Sequence, residues 1–228
     1  MLLSTTFCSF FRGERHLFEG LKVMQLEREW AQYPVIHLDL STTKNILNAS
    51  ELERNLKLLL EQYQETCGAS LTELSPGSIF RGLINRAYAQ TGRQVVVVID
   101  EYDAPLLDVL DVPEVLGEYR RIMQEFFQTL KASEAMIRFC FITGITKFSQ
   151  LSIFSTLNNL NNISMLPQFA AICGITETEL TTTLAEDIAL LAQAYEESPH
   201  GRCSESERKT VSALFCRCSS CSVAKLLS

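Results

Sequence analysis

Four consecutive valines followed by isoleucine, Val95–Ile99, constrain this chain more than any other stretch. A strand sends alternate side chains to opposite faces, so five apolar residues in a row leave no polar face and require cover on both sides. A parallel sheet between helical layers meets that requirement, whereas a one-sided antiparallel sheet would show alternation. The run ends in Asp100-Glu101, so a buried strand delivers two adjacent carboxylates to its C-terminal tip.

The flanking segments alternate strand and helix signals, which agrees with an α/β chain. Val35–Leu40 follows Pro34 and reads as a strand with Asp39 near its exit. Ser50 and Glu53 form a capping-box pattern ahead of Leu52, Leu56, Leu59, Leu60 and Tyr63, one helical face that ends by Gly68. Ser78 is the expected cap of a second helix, carrying Ile79, Phe80, Leu83, Ile84, Ala87 and Tyr88 and stopped by Gly92. Pro113 suits the first position of a third, whose apolar face is Leu116, Tyr119, Ile122, Met123, Phe126, Phe127 and Leu130. Ile137–Gly144 reads as a strand, the Asn158–Asn162 stretch as a loop, and Phe169–Gly174 as a short strand. Thr176 and Glu179 form another capping box, leading a helix through Leu180, Leu184, Ile188, Leu191 and Tyr195.

At 228 residues the chain accommodates one α/β domain with an appendage. Its 46% hydrophobic and 21% charged residues place it among globular chains, outside the disordered class. A net charge of −7 argues against a generally DNA-coating surface. The apolar start, Met1–Arg12, has neither a basic leader nor a cleavage site, and no apolar run reaches the roughly 18 residues a spanning helix needs. A cytoplasmic protein is expected. Composition changes near residue 198: residues 202–228 carry five basic and two acidic side chains, and four of the eight cysteines (Cys203, Cys216, Cys218, Cys221) crowd there. Cys216 and Cys218 are too close for a zinc knuckle, so this end is expected to be disordered or out of frame. The scattered cysteines, Cys8, Cys67, Cys140 and Cys173, are expected to be reduced. The expected organisation is therefore a body at 1–197 and a Cys/Ser-rich tail at 198–228.

Adjacent acids on a buried strand are how a Walker B strand works. In P-loop hydrolases the Asp holds Mg²⁺, directly or through water, and the Glu orients and deprotonates the attacking water. Asp100 is thus the candidate metal residue and Glu101 the candidate catalytic one. Strands that simply end in solvent also end in acids, but the valine run and a second apolar strand ending at Thr143 favour the functional reading. Thr143, with Thr146 as substitute, is the candidate nucleotide-sensing residue; turn capping is the competing account. Asp103 is expected to cap the next turn, with help in metal binding as its alternative, and Lys147 to be a solvated lysine, with a phosphate contact as its alternative. No G-x-x-x-x-G-K-[ST] phosphate loop occurs in the sequence.

Longer stretches carry a resemblance. Ile99–Leu106 (Ile-Asp-Glu-Tyr-Asp-Ala-Pro-Leu), Tyr33–Asp39 with Glu29-Trp30, Phe141–Phe148, Ser152–Leu160, Gly174–Leu180, Leu2–Thr5 and Leu17–Leu21 resemble, in order, motifs of the predicted AAA-ATPase-like family of bacterial, Bacteroidetes-type P-loop proteins. The resemblance covers roughly residues 1–190 in pieces. It implies an AAA-like, three-layer sandwich with a mainly parallel sheet, ATP and Mg²⁺ as cofactors, and a nuclease-like domain or a homo-oligomer as partner. It also places Leu2–Thr5 just after the family's Walker A lysine and serine, so the first strand and P-loop are expected to be absent. A fragment is the expectation: a late start or broken gene upstream, and a frame change after Tyr195.

Three functions follow as expectations. The chain is an ATPase module, impaired because it lacks the P-loop; or a non-catalytic interaction module or gene remnant; or, most weakly supported, a nucleic-acid binder through its basic tail, which lacks interleaved aromatics. The sheet is expected to have an open edge beside the Thr143 strand, favouring association.

Overall fold

The computed structural model describes residues 2–43, 48–63, 75–144, 153, 160–164, 166–172, 176–196 and 223–227. The chain forms two compact units, Met1–Ile163 together with Val223–Ser228, and Ser164–Ser222.

In the first unit, strands β1 (Val35–Asp39), β2 (Val95–Asp100) and β3 (Ile137–Gly144) lie side by side and parallel. The valine run is the middle of these three, and every residue from Val95 to Ile99 is fully buried. One face of the sheet meets helices α3 (Ala49–Glu61), α4 (Pro76–Thr91) and α6 (Pro113–Ala132). Ile36, Leu38, Val95, Val97, Ile99, Cys140 and Ile142 from the strands share one core with Leu52, Leu56, Phe80, Tyr119, Phe126 and Phe127 from these helices. The seven residues expected on the apolar face of α6 are all buried. The opposite face is covered by α1 (Leu2–Phe11), whose Phe7 packs on Phe139 and Phe141 of β3. The chain is therefore α/β with helices on both faces of a parallel three-strand core, as the valine run requires.

Pro113 does begin α6, and Gly92 ends α4 at φ +64, a left-handed cap that favours glycine. Two helices begin earlier than the sequence pattern suggests. Asn48, not Ser50, caps α3 by accepting the Glu51 N–H at 2.8 Å. Ser75, not Ser78, caps α4, and Pro76 takes the first helical turn where its absent N–H costs nothing. Gly77 is needed for packing in α4, since a Cβ there would come within 3.0 Å of the Glu125 carbonyl oxygen.

Three expectations fail. The open edge beside β3 is covered, because β5 (Val223–Leu227) pairs antiparallel with Phe141–Gly144. In the Asn-rich stretch Leu160–Asn162 is a strand, β4, paired with β5, so the described sheet order is β1-β2-β3-β5-β4. Phe169–Ile172 is not a strand: Pro167 starts a 3-10 turn, with Phe169 N–H bonded to the Leu166 carbonyl. Short α2 (Val23–Leu26) and α5 (Ala104–Leu107) complete the α-helices of the first unit among described residues.

In the second unit Thr176 and Glu179 make the expected capping box, reciprocally bonded. The helix does not run on, however: α7 (Glu177–Thr181) stops and α8 (Ala185–Glu196) begins anew. Thr182 folds its hydroxyl back onto the Thr178 carbonyl at 2.6 Å, and β-branched Thr181–Thr183 is a poor run for propagating helix. Among the described residues no helix is long and apolar enough to cross a membrane.

Candidate active site

Strand parity decides which side chains meet at the sheet's C-terminal edge. Register pairs Asp39 with Asp100 and, across β2, His37 with Val98 and Val98 with Phe141. Asp100 is two residues on from Val98 and Thr143 two on from Phe141, so His37, Asp100 and Thr143 stand on the face that α1 covers. Ser4 and Cys8, one turn apart on α1, are the buried residues of that helix.

These elements converge on Asp100, which is 3% exposed. Its Oδ1 accepts from Ser4 Oγ at 2.5 Å and from Thr143 Oγ1 at 2.8 Å, and its Oδ2 faces His37 Nε2 at 3.0 Å. One carboxylate thus ties α1, β1 and β3 to β2. Burial pushes the Asp100 carboxyl up, but the bonds from His37, Ser4 and Thr143 outweigh it and hold the group below the usual carboxylate range. The same pairing with Asp100, helped by Cys8, raises His37 to about 9 against the opposing effect of burial. At neutral pH the pair is an imidazolium–carboxylate ion pair. His37 is itself held from behind: its N–H donates to Tyr63 Oη at 2.9 Å, and that hydroxyl donates to the His37 carbonyl at 2.6 Å.

Glu101 follows in a left-handed conformation, φ +50, which costs a non-glycine residue on the order of 1–3 kcal/mol. The turn is held across the strands: the Tyr102 N–H donates to the Thr143 carbonyl at 2.9 Å, and the Glu101 N–H reaches Thr143 Oγ1 at 3.4 Å. Gly144 fits closely against this turn, since a Cβ there would lie 2.3 Å from Tyr102 Cε1 and 2.7 Å from Asp103 Oδ1. Strain at a half-buried acid, braced on two sides, matches the way functional turns are kept out of relaxed geometry.

Asp100, Glu101 and Thr143 are therefore brought together; Thr146 and Lys147 lie outside the described residues, as do the tail cysteines. Asp103 is at the N-cap position of α5 but makes no capping hydrogen bond through its side chain, contrary to expectation, and is fully buried. Cys8 and Cys140 are buried free thiols, and burial pushes Cys140 up. Sequence reasoning missed Ser4 and His37. The signal for His37 was its place two residues before Asp39, on the same strand face; the signal for Ser4 was its i, i+4 spacing to Cys8 on an apolar helix.

Among the described residues no three His, Cys, Asp or Glu side chains come together to hold a metal by themselves. Beside the His37 imidazole the strand tips carry the oxygens of Asp100, Glu101, Ser4 and Thr143, ligands of the kind that suit Mg²⁺, an ion that keeps several waters and uses one or two carboxylates with substrate phosphates. Asp100 retains an acceptor position, since its three partners occupy three of about four lone-pair sites. The residues fit a hydrated Mg²⁺ held partly through water.

A family model described as Predicted AAA-ATPase matches residues 1–154. The chain is also similar to an uncharacterized protein from the vnfD 5′ region of Azotobacter chroococcum mcd 1, at 35% identity over 188 residues. That match covers 82% of this chain and 36% of the relative, so the chain spans little more than a third of that protein's length. No solved structure matches.

Proposed function

The chain belongs to the predicted AAA-ATPase-like family, and from that premise we propose that its 1–197 body supplies the metal-holding and water-activating half of an ATP-hydrolysing site. The observation that carries this reading is the acid pair on the buried central strand, Asp100 fixed by three partners and Glu101 held in a strained turn beside Thr143. Mg²⁺, when bound with ATP, supplies charge neutralisation at the phosphates. Asp100, with Thr143 and Ser4 orienting its carboxylate, is the group that would hold it. Glu101 takes the role of orienting a water and accepting its proton, and Thr143 that of tying the two acids to the neighbouring strand.

The 228-residue sequence contains no G-x-x-x-x-G-K-[ST] motif, the source of the phosphate-cradling loop that gives P-loop proteins most of their triphosphate affinity. This stretch by itself is accordingly proposed to bind ATP at millimolar Kd or weaker, about −4 kcal/mol. Calorimetric titration with ATP and Mg²⁺ tests this, and a Kd below ~100 μM refutes it. Glu101→Gln tests the catalytic assignment: a general base contributes roughly 10²–10⁴-fold, so any hydrolysis by the chain should fall by that factor. A rate unchanged by Glu101→Gln would support the second reading, a non-catalytic interaction module. That reading draws on the resident His37 cation, which already neutralises Asp100. A nuclease-like domain or a second copy as partner belongs to the same proposal.

A further inference from the structure

At the other end of the same sheet lies a cleft of about 210 Å³ that the acid pair does not use. Phe10, Phe11, Trp30 and Tyr33 wall it, together with the side chains of Glu27, Glu29 and Arg138. Arg138 is next to the first residue of β3, whereas Thr143 is near its last, so the two sites are separated by roughly 16 Å of strand.

The cleft is built by unusual backbone. Trp30 adopts φ +46, which for so bulky a residue is an outlier, and its ring packs on Phe10 at 5.4 Å and Phe18 at 5.2 Å. Gly13, at φ +73, lets the loop after α1 approach this segment; a Cβ there would meet Gln32 Cγ at 2.8 Å and the Trp30 carbonyl oxygen at 3.0 Å. Residues held in such conformations cluster at active sites, ligand clamps and switch regions.

The chemistry of the walls selects a cation. Aromatic faces attract cations through the ring quadrupole, and carboxylates beside them add charge and hydrogen-bond acceptors. Glu27 accepts the Glu29 N–H at 2.9 Å, while the Glu29 carboxylate is exposed and makes no hydrogen bond or ion pair with described residues. Among the described residues no ion pair joins Arg138 to Glu27 or Glu29, and the lining carries a formal net −1. Tyr33 already shows the relevant chemistry on one face, where the Arg93 guanidinium sits 5.9 Å from the ring centroid and donates to the Gln32 carbonyl. A planar guanidinium both stacks on rings and forks onto a carboxylate, which a compact ammonium cannot do. Pockets that enclose a drug-sized ligand run to roughly 300–1,000 Å³, so this smaller cleft suits a single side chain.

We infer that this aromatic–acidic cleft is a binding site for an arginine side chain presented by a partner polypeptide. Trp30 is the sole tryptophan of the chain, so its emission reports occupancy directly. Titration of the full chain with Nα-acetyl-arginine amide should give a saturable change in Trp30 fluorescence. The neutral isostere, Nα-acetyl-citrulline amide, should bind at least tenfold more weakly. Glu29→Gln, at an exposed position, should weaken the arginine probe about fivefold without lowering the melting temperature, and Arg138→Gln should tighten it. Equal responses to the arginine and citrulline probes, indifference to Glu29→Gln, or no saturable change up to ~10 mM would each overturn the inference. Tighter binding of free L-arginine than of the amide would overturn the polypeptide occupant. The outcome is independent of ATP hydrolysis.

Discussion

The His37–Asp100 pair makes stability depend on pH in a window where few other groups titrate. His37 has a folded pKa of about 9 against 6.5 in the unfolded chain, so between those values the folded state holds a proton that the unfolded state has released. Stability is therefore fully present below pH ~6.5, declines as pH rises, and the contribution is gone above pH ~9. The slope cannot exceed about 1.4 kcal/mol per pH unit, and the total over the window is at most about 3–4 kcal/mol. Asp100 gives the acid-side counterpart: its folded pKa is depressed, so its share is present above the unfolded carboxylate value and lost as pH falls. The two describe one interaction and are not summed. Cys8 touches the imidazole, and Tyr63, raised by burial, brackets its backbone and loses its own contribution only above pH ~10. Urea unfolding at half-unit steps from pH 6 to 9.5 measures the effect, with His37→Gln as the reference, since it keeps a donor for Asp100 but cannot titrate. The wild-type chain should lose stability over this range relative to His37→Gln. Parallel profiles for the two proteins would refute the ion pair as the source.

Two further substitutions probe the site's frame. Gly144→Ala should destabilise by about 1–3 kcal/mol, because the new methyl overlaps the buried Tyr102 ring and the Asp103 carboxylate; an unchanged melting temperature would show that the turn yields freely. Ser133→Ala should be neutral or stabilising by up to ~1 kcal/mol, since the Ser133 hydroxyl is buried without a hydrogen-bond partner, and a clear loss of stability in urea melts would reveal a partner for it.

What could be read from the sequence follows how local each signal is. The valine run specified a doubly covered parallel strand because its meaning depends only on period two, and α6 followed from one apolar stripe behind Pro113. Helix starts were misplaced where two candidate caps competed: Asn48 and Ser75 act before Ser50 and Ser78, and Pro76 at the first turn was the available clue. The β3–β5 and β4–β5 pairings were illegible, since antiparallel partners far apart in sequence leave no shared pattern in either segment. Asp100, Glu101 and Thr143 were legible as strand-end residues, whereas Ser4 and His37 became visible only once α1 was laid across β1 and β2.

Helix α1 touches both ends of this sheet. Ser4 near its start bonds Asp100, and Phe10 and Phe11 at its finish wall the aromatic cleft. Six residues of α-helix separate those contacts by roughly 9 Å, short enough to behave as a stiff rod. A tilt of only ~6° about the aromatic end would carry Ser4 by ~1 Å, enough to break a hydrogen bond of normal length. The placing of α1 therefore sets both the shape of the cleft and the aim of the Asp100 carboxylate.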